Sequence, residues 1–277
     1  MTDTIQQHMS SLSDADLLEV LSSKSEEFTP EAIAIAHEVA AQRGGVDRIV
    51  EKIRDDRIAR IAAVRNLLIV TGEELIARPL SKTTRCEASV SAMRGGLVLH
   101  PPHVEYKGTR YQLSDITHLH WFAKEEAYLA PFIRFVDIRA ELTVRFASNQ
   151  SDLTVRFKKR GFNPREHPET EAFFEIYSKL AELTLAQRFM LYAEQMLSTG
   201  VISYGYAKFR IDGIVEIASE ELPLDDFEWE PFRLRMPAIH LPNKFLPPSI
   251  GTMEDNDVLR LIVGIIIQDT AKQPGKE

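Results

Sequence analysis

The spacing of apolar residues changes from a helical to an alternating period and back, and these changes divide the chain. Over Glu169–Gly200 apolar side chains recur at Phe173, Ile176/Tyr177, Leu180, Leu183, Phe189/Met190, Ala193 and Met196/Leu197, the spacing of one helix face. Pro168 opens the stretch, Glu169 and Glu171 complement the positive end of the helix dipole, and Gly200 closes it. The pattern predicts a helix of about eight turns, with room for one break. On both sides of it the period drops to two.

Ahead of the strand-like region the pattern is helical. Ser13-Asp14-Ala15-Asp16 caps a short helix through Leu17, Leu18 and Leu21. Thr29-Pro30-Glu31 starts a second, with Ile33, Ala36, His37 and Ala40 on one face and Gly44-Gly45 as its stop. A third segment, Val46 to about Leu68, carries Ile49, Ile53, Ile61 and Val64 among many charges. Its arginines alternate with Glu51, Asp55 and Asp56 at helical spacing, the mark of a solvated, salt-bridged face. The writing changes after Thr71-Gly72.

Between Glu87 and Gly161 short runs rich in Val, Tyr, Phe and Thr are separated by Gly, Pro and Asn. The predicted strands are Gly96–His100, His103–Lys107, Arg110–Leu113, Thr117–Phe122, Ile133–Ile138, Glu141–Ala147 and Leu153–Lys159. The pentapeptide LTVRF stands at Leu142–Phe146 and again at Leu153–Phe157, around a turn-like ASNQSD, which predicts a hairpin. After the long helix the order repeats in less space, with strands predicted from Val201 to Leu241 and a final apolar helix over Val258–Ile267. At an offset of 111 residues Leu97–Ile116 lies on Lys208–Phe227 without a gap: Val104-Glu105 falls on Val215-Glu216, Leu113 on Leu224, Asp115 on Asp226, and Pro101-Pro102 on the turn dipeptide Asp212-Gly213.

VEYKGTRYQLSDITHLHW resembles the hairpin and following (W/L)-x-D-I segment of bacterial pleckstrin-homology-like (PH-like) domains, with Leu113, Asp115 and Ile116 at that motif. FRIDGIVEIASEELPLDDFEW resembles a second copy, and MPAIHL with DNDVLRLIVGIII resembles the closing strands and helix. The first hairpin lacks the basic phosphoinositide pattern of some eukaryotic members. The resemblance implies an α+β chain: a small N-terminal helical region, then two tandem PH-like β-barrels or sandwiches, each closed by a C-terminal helix. The expected divisions are a helical hairpin over 1–45, a connecting helix and linker over 46–85, a first PH-like domain over 86–185, an inter-domain helix over 186–200 and a second domain over 201–277. It also implies a scaffold that binds peptides, proteins or lipids rather than a catalyst.

At 277 residues and 44% apolar content the chain buries a substantial core. No basic, apolar leader stands at the amino terminus and the longest apolar run contains Arg260, so a cytoplasmic location without a transmembrane segment is expected. The single cysteine, Cys86, excludes an intramolecular disulfide. Net charge is −8, which argues against nucleic acid as a partner. The charge is uneven: residues 91–165 carry about +5 and 201–277 about −5.

Four of the eight histidines, His100, His103, His118 and His120, fall close together. Imidazole ligates zinc, copper and nickel, so these four form a candidate metal site, with Glu105 or Asp115 in reach. Arg156, Lys158, Lys159 and Arg160 form a candidate anion site next to the start of the long helix. No nucleophile elbow, phosphate-binding loop, dinucleotide fingerprint or HExxH motif occurs. The expected function is therefore a non-catalytic scaffold, without cofactor, that holds a protein or peptide partner, the exposed strand edge beside the capping helix being suited to strand addition. The alternatives are an anionic lipid or phosphate headgroup bound by the basic first domain, and a metal-dependent enzyme using the histidines.

Overall fold

Capping chemistry sets the first elements. The computed structural model describes residues 2–22, 25–78, 86–88, 96–130, 133–147, 151–162, 168–204, 207–217, 219–224, 228–230, 233–235, 249–250 and 255–270. Helices α1 (Thr2–Ser11), α2 (Asp14–Leu21), α3 (Pro30–Gln42) and α4 (Val46–Ala77) lead the chain. Ser13 Oγ accepts from Asp16 N–H at 3.1 Å, and Thr29 Oγ1 accepts from Ala32 N–H at 3.3 Å. Gly44 and Gly45, both at positive φ, end α3 as the sequence predicts. The buried face of α3 is Ala32, Ile35, Ala36, Val39 and Ala40, packed with Met9, Leu17, Val20 and Ile49. It is rotated from the predicted one: His37 is exposed and Ile33 half-exposed. Small and apolar residues stand on most sides of α3 itself, so its packing partners chose which face is buried.

The chain divides into two compact units, Met1–Ala63 and Val64–Glu277, and the division falls inside α4. That helix runs well past the predicted stop near Leu68. Gly72 is helical, and a Cβ there would lie 2.6 Å from Met190 Sδ, so the glycine permits close approach of another helix rather than ending this one.

In the larger unit, β1 (Cys86–Ala88), β2 (Leu97–His100), β3 (His103–Tyr106) and β4 (Thr109–Gln112) form an antiparallel sheet in that order. A 3-10 turn at Leu113–Asp115 leads into a second sheet of β5 (Ile116–Ala130), β6 (Ile133–Phe146) and β7 (Leu153–Gly161). The LTVRF repeat is the β6–β7 hairpin, with Val144 opposite Leu153. Two strands predicted separately, Ile133–Ile138 and Glu141–Ala147, are one: β6 pairs residue by residue with β5, and cross-strand pairing carries the ladder through the polar middle. Leu97, Leu99 and Val104 of one sheet share a core with Leu119, Leu142, Val155 and Phe157 of the other. Phe173, Ile176 and Leu180 close it from α5 (Pro168–Thr199), a single unbroken helix of 32 residues.

The order then recurs. A four-stranded sheet of β8 (Val201–Tyr204), β9 (Ala207–Arg210), β10 (Ile214–Ile217) and β11 (Glu220–Pro223) is followed by a three-stranded sheet and a helix. The latter are β12 (Glu228–Glu230), β13 (Arg233–Arg235), β14 (Ser249–Ile250) and α6 (Asn256–Thr270). His103 faces Gln112 in the first copy and Ile214 faces Pro223 in the second, at the same offset. The turn contact repeats as well: Leu113 N–H donates to Pro102 O at 2.9 Å and Leu224 N–H to Gly213 O at 2.8 Å. The preceding hairpin differs by one residue. In the first copy His100 pairs with His103 across a two-residue turn, whereas in the second Phe209 pairs with Val215, which places Ile211–Gly213 in the turn.

The architecture is α+β, built from antiparallel sheets and helices. Among the described residues no strand pairing joins a four-stranded sheet to its three-stranded partner, so the first copy is a two-sheet sandwich with a helix rather than a closed barrel. The predicted strand over Ala238–Leu241 lies outside the described residues.

The final helix is buried along its length at Val258, Leu259, Ile262, Val263 and Ile266, each 2% exposed or less. Replacing Ile262 by Ala removes three methyl(ene) groups from a site with no solvent side, and is expected to cost about 2–5 kcal/mol. A urea titration of the variant against the parent measures it.

Candidate functional site

Among the described residues one cation, on α5, is completely buried beside β5. Arg188 projects from the middle of α5 and is completely buried. Its Nη1 donates to Asp255 Oδ1 and to Asp257 Oδ1, both at 2.8 Å, and its Nη2 donates to Asp257 Oδ2 at 2.6 Å. Thr184 Oγ1 at 3.0 Å and Ala181 O at 2.9 Å, one and two turns back, take the remaining donors. Burial alone would push the guanidinium's pKa down. The hydrogen bond with Asp257 and the charges of both aspartates outweigh it, so Arg188 stays charged.

Asp255 does more than neutralise. It sits at φ 51, just before α6, and its carbonyl accepts from Leu259 N–H in the first turn. Its N–H donates to Leu119 O at 2.7 Å, while its Oδ1 accepts from Leu119 N–H at 2.8 Å. Tyr192 Oη adds a third contact, donating to Oδ2 at 3.0 Å. Leu119 lies on β5, an edge strand of its sheet. Asp255 therefore satisfies both backbone groups of an edge residue, as a neighbouring strand would, with a carboxylate in place of one carbonyl.

Two residues along β5 the contact with α5 becomes aromatic. Trp121 stacks on Tyr177 of α5 at 4.3 Å and meets Phe174 edge-on at 5.3 Å. All three rings are half-buried, outside the fully buried Phe173 and Phe157. Burial raises the Tyr177 phenol to about 12, helped by the negative charges of Asp257 and Asp255 and opposed by Arg188. Gln187 Nε2 holds the entry to β5, donating at 2.7 Å to Leu113 O and to Ile116 O.

The sequence-predicted clusters fall elsewhere. His100 and His103 are brought together across the turn between β2 and β3, with Glu105 beside them. His118 and His120 lie on β5, in the other sheet; the His118 ring packs edge-on against Tyr192 at 5.9 Å. Asp115 is engaged locally, its Oδ1 accepting from Ser114 Oγ at 3.2 Å. Of the basic residues, Arg156 bonds Glu141 at 2.7 Å and Lys159 bonds Glu169 at 3.0 Å. Arg160 grips the Asp137 carboxylate with both Nε and Nη2, and Lys158 lies 3.9 Å from it. The hydrogen bond from Arg160 lowers the Asp137 pKa. These cations answer acids of β6 and α5.

The groove residues escaped the sequence analysis, although one signal was present. Arg188 is flanked at i−4 and i+4 by Thr184 and Tyr192 on a face that also buries Leu180 and Phe189. A cation on such a face needs a buried partner. Nothing in sequence links it to Asp255, 67 residues on.

Two outcomes follow from this geometry. Asp255→Ala leaves Arg188 one carboxylate short and strips Leu119 N–H and Tyr192 of a buried acceptor, so unfolding free energy should fall by about 3–5 kcal/mol, read by chemical denaturation. Because the folded Tyr177 pKa lies above the unfolded value of 10.0, its contribution to stability is complete below pH 10 and lost as pH rises towards about 12. Melting curves from pH 9 to 12 should show this alkaline loss in the parent and a smaller one in Tyr177→Phe.

No protein family, curated protein or solved structure matches the chain.

Proposed function

We propose that this protein is a non-catalytic binding module with two PH-like folds in tandem, and that the first receives an extended segment of a protein or peptide partner in its β5–α5 groove. The observation that carries this reading is the pair of strand-like hydrogen bonds between Asp255 and Leu119. The edge of β5 there has both backbone groups of Leu119 engaged by one residue of another segment, through its N–H and its carboxylate. Backbone groups alternate in direction along a strand, so those of Trp121 face the same edge as those of Leu119. A partner strand continuing from that point would lie over the rings of Trp121, Phe174 and Tyr177. Backbone bonds would supply affinity and an apolar anchor side chain against these rings would supply selectivity.

The tandem assignment rests on the order of four strands, three strands and a helix, met twice, and on the β3–β4 register repeated in β10–β11. A phosphate or lipid headgroup has weaker support, because each of Arg156, Lys158, Lys159 and Arg160 already faces a carboxylate.

Selection of random dodecapeptides displayed on phage tests the reading. Peptides with an aromatic or aliphatic anchor should be enriched on the parent protein. Trp121→Ala, with an unchanged circular dichroism spectrum, should weaken their binding at least tenfold, about 1.4 kcal/mol. Failure to enrich any peptide, or equal binding by the variant, overturns the groove assignment. Flotation with phosphatidylserine vesicles that is lost in Arg156→Ala would replace it by the headgroup reading.

A further inference from the structure

The turn between β2 and β3 holds a second arrangement, separate from the groove. His100 and His103 are the last residue pair before the turn and lie directly opposite one another. Their rings stack, with centroids 5.1 Å apart and planes 24° from parallel. Alternation along β3 puts Glu105 on the same outward face as His103, while Leu99, Val104 and Tyr106 point into the core. One ligand atom from each of His100, His103 and Glu105 lies within 4.8 Å of the others, and all three residues are half-exposed. We propose that His100, His103 and Glu105 form a binding site for a divalent transition-metal ion of the zinc, nickel or copper type.

The chemistry favours that class. Two imidazoles are borderline ligands suited to these ions, zinc also accepts a carboxylate oxygen, and a nitrogen-rich set suits magnesium or calcium poorly because they take oxygen ligands. Bond lengths of about 2.0–2.2 Å in a tetrahedral site require ligand atoms about 3.4 Å apart. Rotation of exposed side chains supplies the remaining approach, because the backbone positions are already fixed by the hairpin. Half-exposure leaves further coordination positions open to water. One neighbour opposes binding: Arg110, opposite Glu105 on β4, has its Nε 3.5 Å from Glu105 Oε2.

The second copy provides an internal control. At the offset that aligns β3 with β10, the position of His103 is held by Ile214 and that of Glu105 by Glu216, which bonds Lys208 at 2.9 Å. The equivalent strand pair thus forms without either imidazole, across a turn one residue longer, so pairing of these strands does not require histidines. Their convergence in the first copy alone is the mark of a ligand rather than of packing.

Isothermal titration of the full-length, chelator-treated protein with zinc chloride tests the proposal, with magnesium chloride as the contrasting probe. One zinc per chain is expected, with no heat from magnesium. His103→Ile, the residue the second copy uses, should weaken zinc binding at least tenfold while leaving the thermal melt of the metal-free protein in place. Arg110→Ala should bind zinc more tightly. The absence of zinc binding by the parent overturns the site, and so does equal zinc affinity in His103→Ile, which would assign the ion to other histidines. Should His103→Ile unfold, His100→Gln read by the same titration decides between the same two outcomes.

Discussion

A guanidinium that is completely buried constrains everything around it. Arg188 cannot be left without counter-charges, because an unpaired charge in the interior costs several kcal/mol. It also presents its donors in a rigid fork. Two aspartates, a threonine hydroxyl and a backbone carbonyl converge on that fork. Both aspartates come from the start of α6, so the last helix is fixed in rotation and height against α5. Asp255 in turn reaches β5 through Leu119. One cation thereby ties an element of the second copy to a strand and a helix of the first. Removing one partner from such a network costs far more than the intact network contributes net.

The two copies share their register and differ in what the register carries. Hydrogen bonding from Leu113 to Pro102 recurs from Leu224 to Gly213, and Val104 and Val215 are both fully buried at equivalent positions. What varies is outward-facing: a two-residue turn becomes a three-residue one, and His103 becomes Ile214. The β5 edge of the first copy is engaged by the chain's own Asp255, and it continues beside half-buried aromatic rings. A sheet edge next to a helix is one of the few places where a folded domain offers main-chain hydrogen bonds to another polypeptide. The proposed metal-binding hairpin uses outward-facing positions, whereas the proposed peptide site uses rings that also pack against the core.

Charge shows why composition alone misleads about sites. The basic run Arg156–Arg160 stands out in sequence, yet cross-strand register sets Glu141 opposite Arg156 and Asp137 opposite Arg160. Alternation puts all four on one face of the sheet, where they neutralise in pairs. Pairing across a hairpin reaches residues more than ten positions away, beyond what a local charge count detects.

Local rules settled a good part of this fold in advance. The Ser13 and Thr29 caps, the Gly44-Gly45 stop, the long helix ending at Gly200, the LTVRF hairpin, the repeated β3–β4 element and the buried stripe of α6 all follow from short-range preferences or period, and the structure has each of them. The extension of α4 through Gly72, the rotation of α3, the fusion of two predicted strands into β6 and the short strand β1 were decided by neighbours distant in sequence. The sequence also brought four histidines close in number, but the sheets separate His118 and His120 from the pair at the turn, because strand order places β5 in a different layer. The contact between Arg188 and Asp255 was invisible. Arg188 and Asp255 meet only after two sandwich layers and two helices are in place, and the energy that joins them is the cost of leaving a charge buried alone.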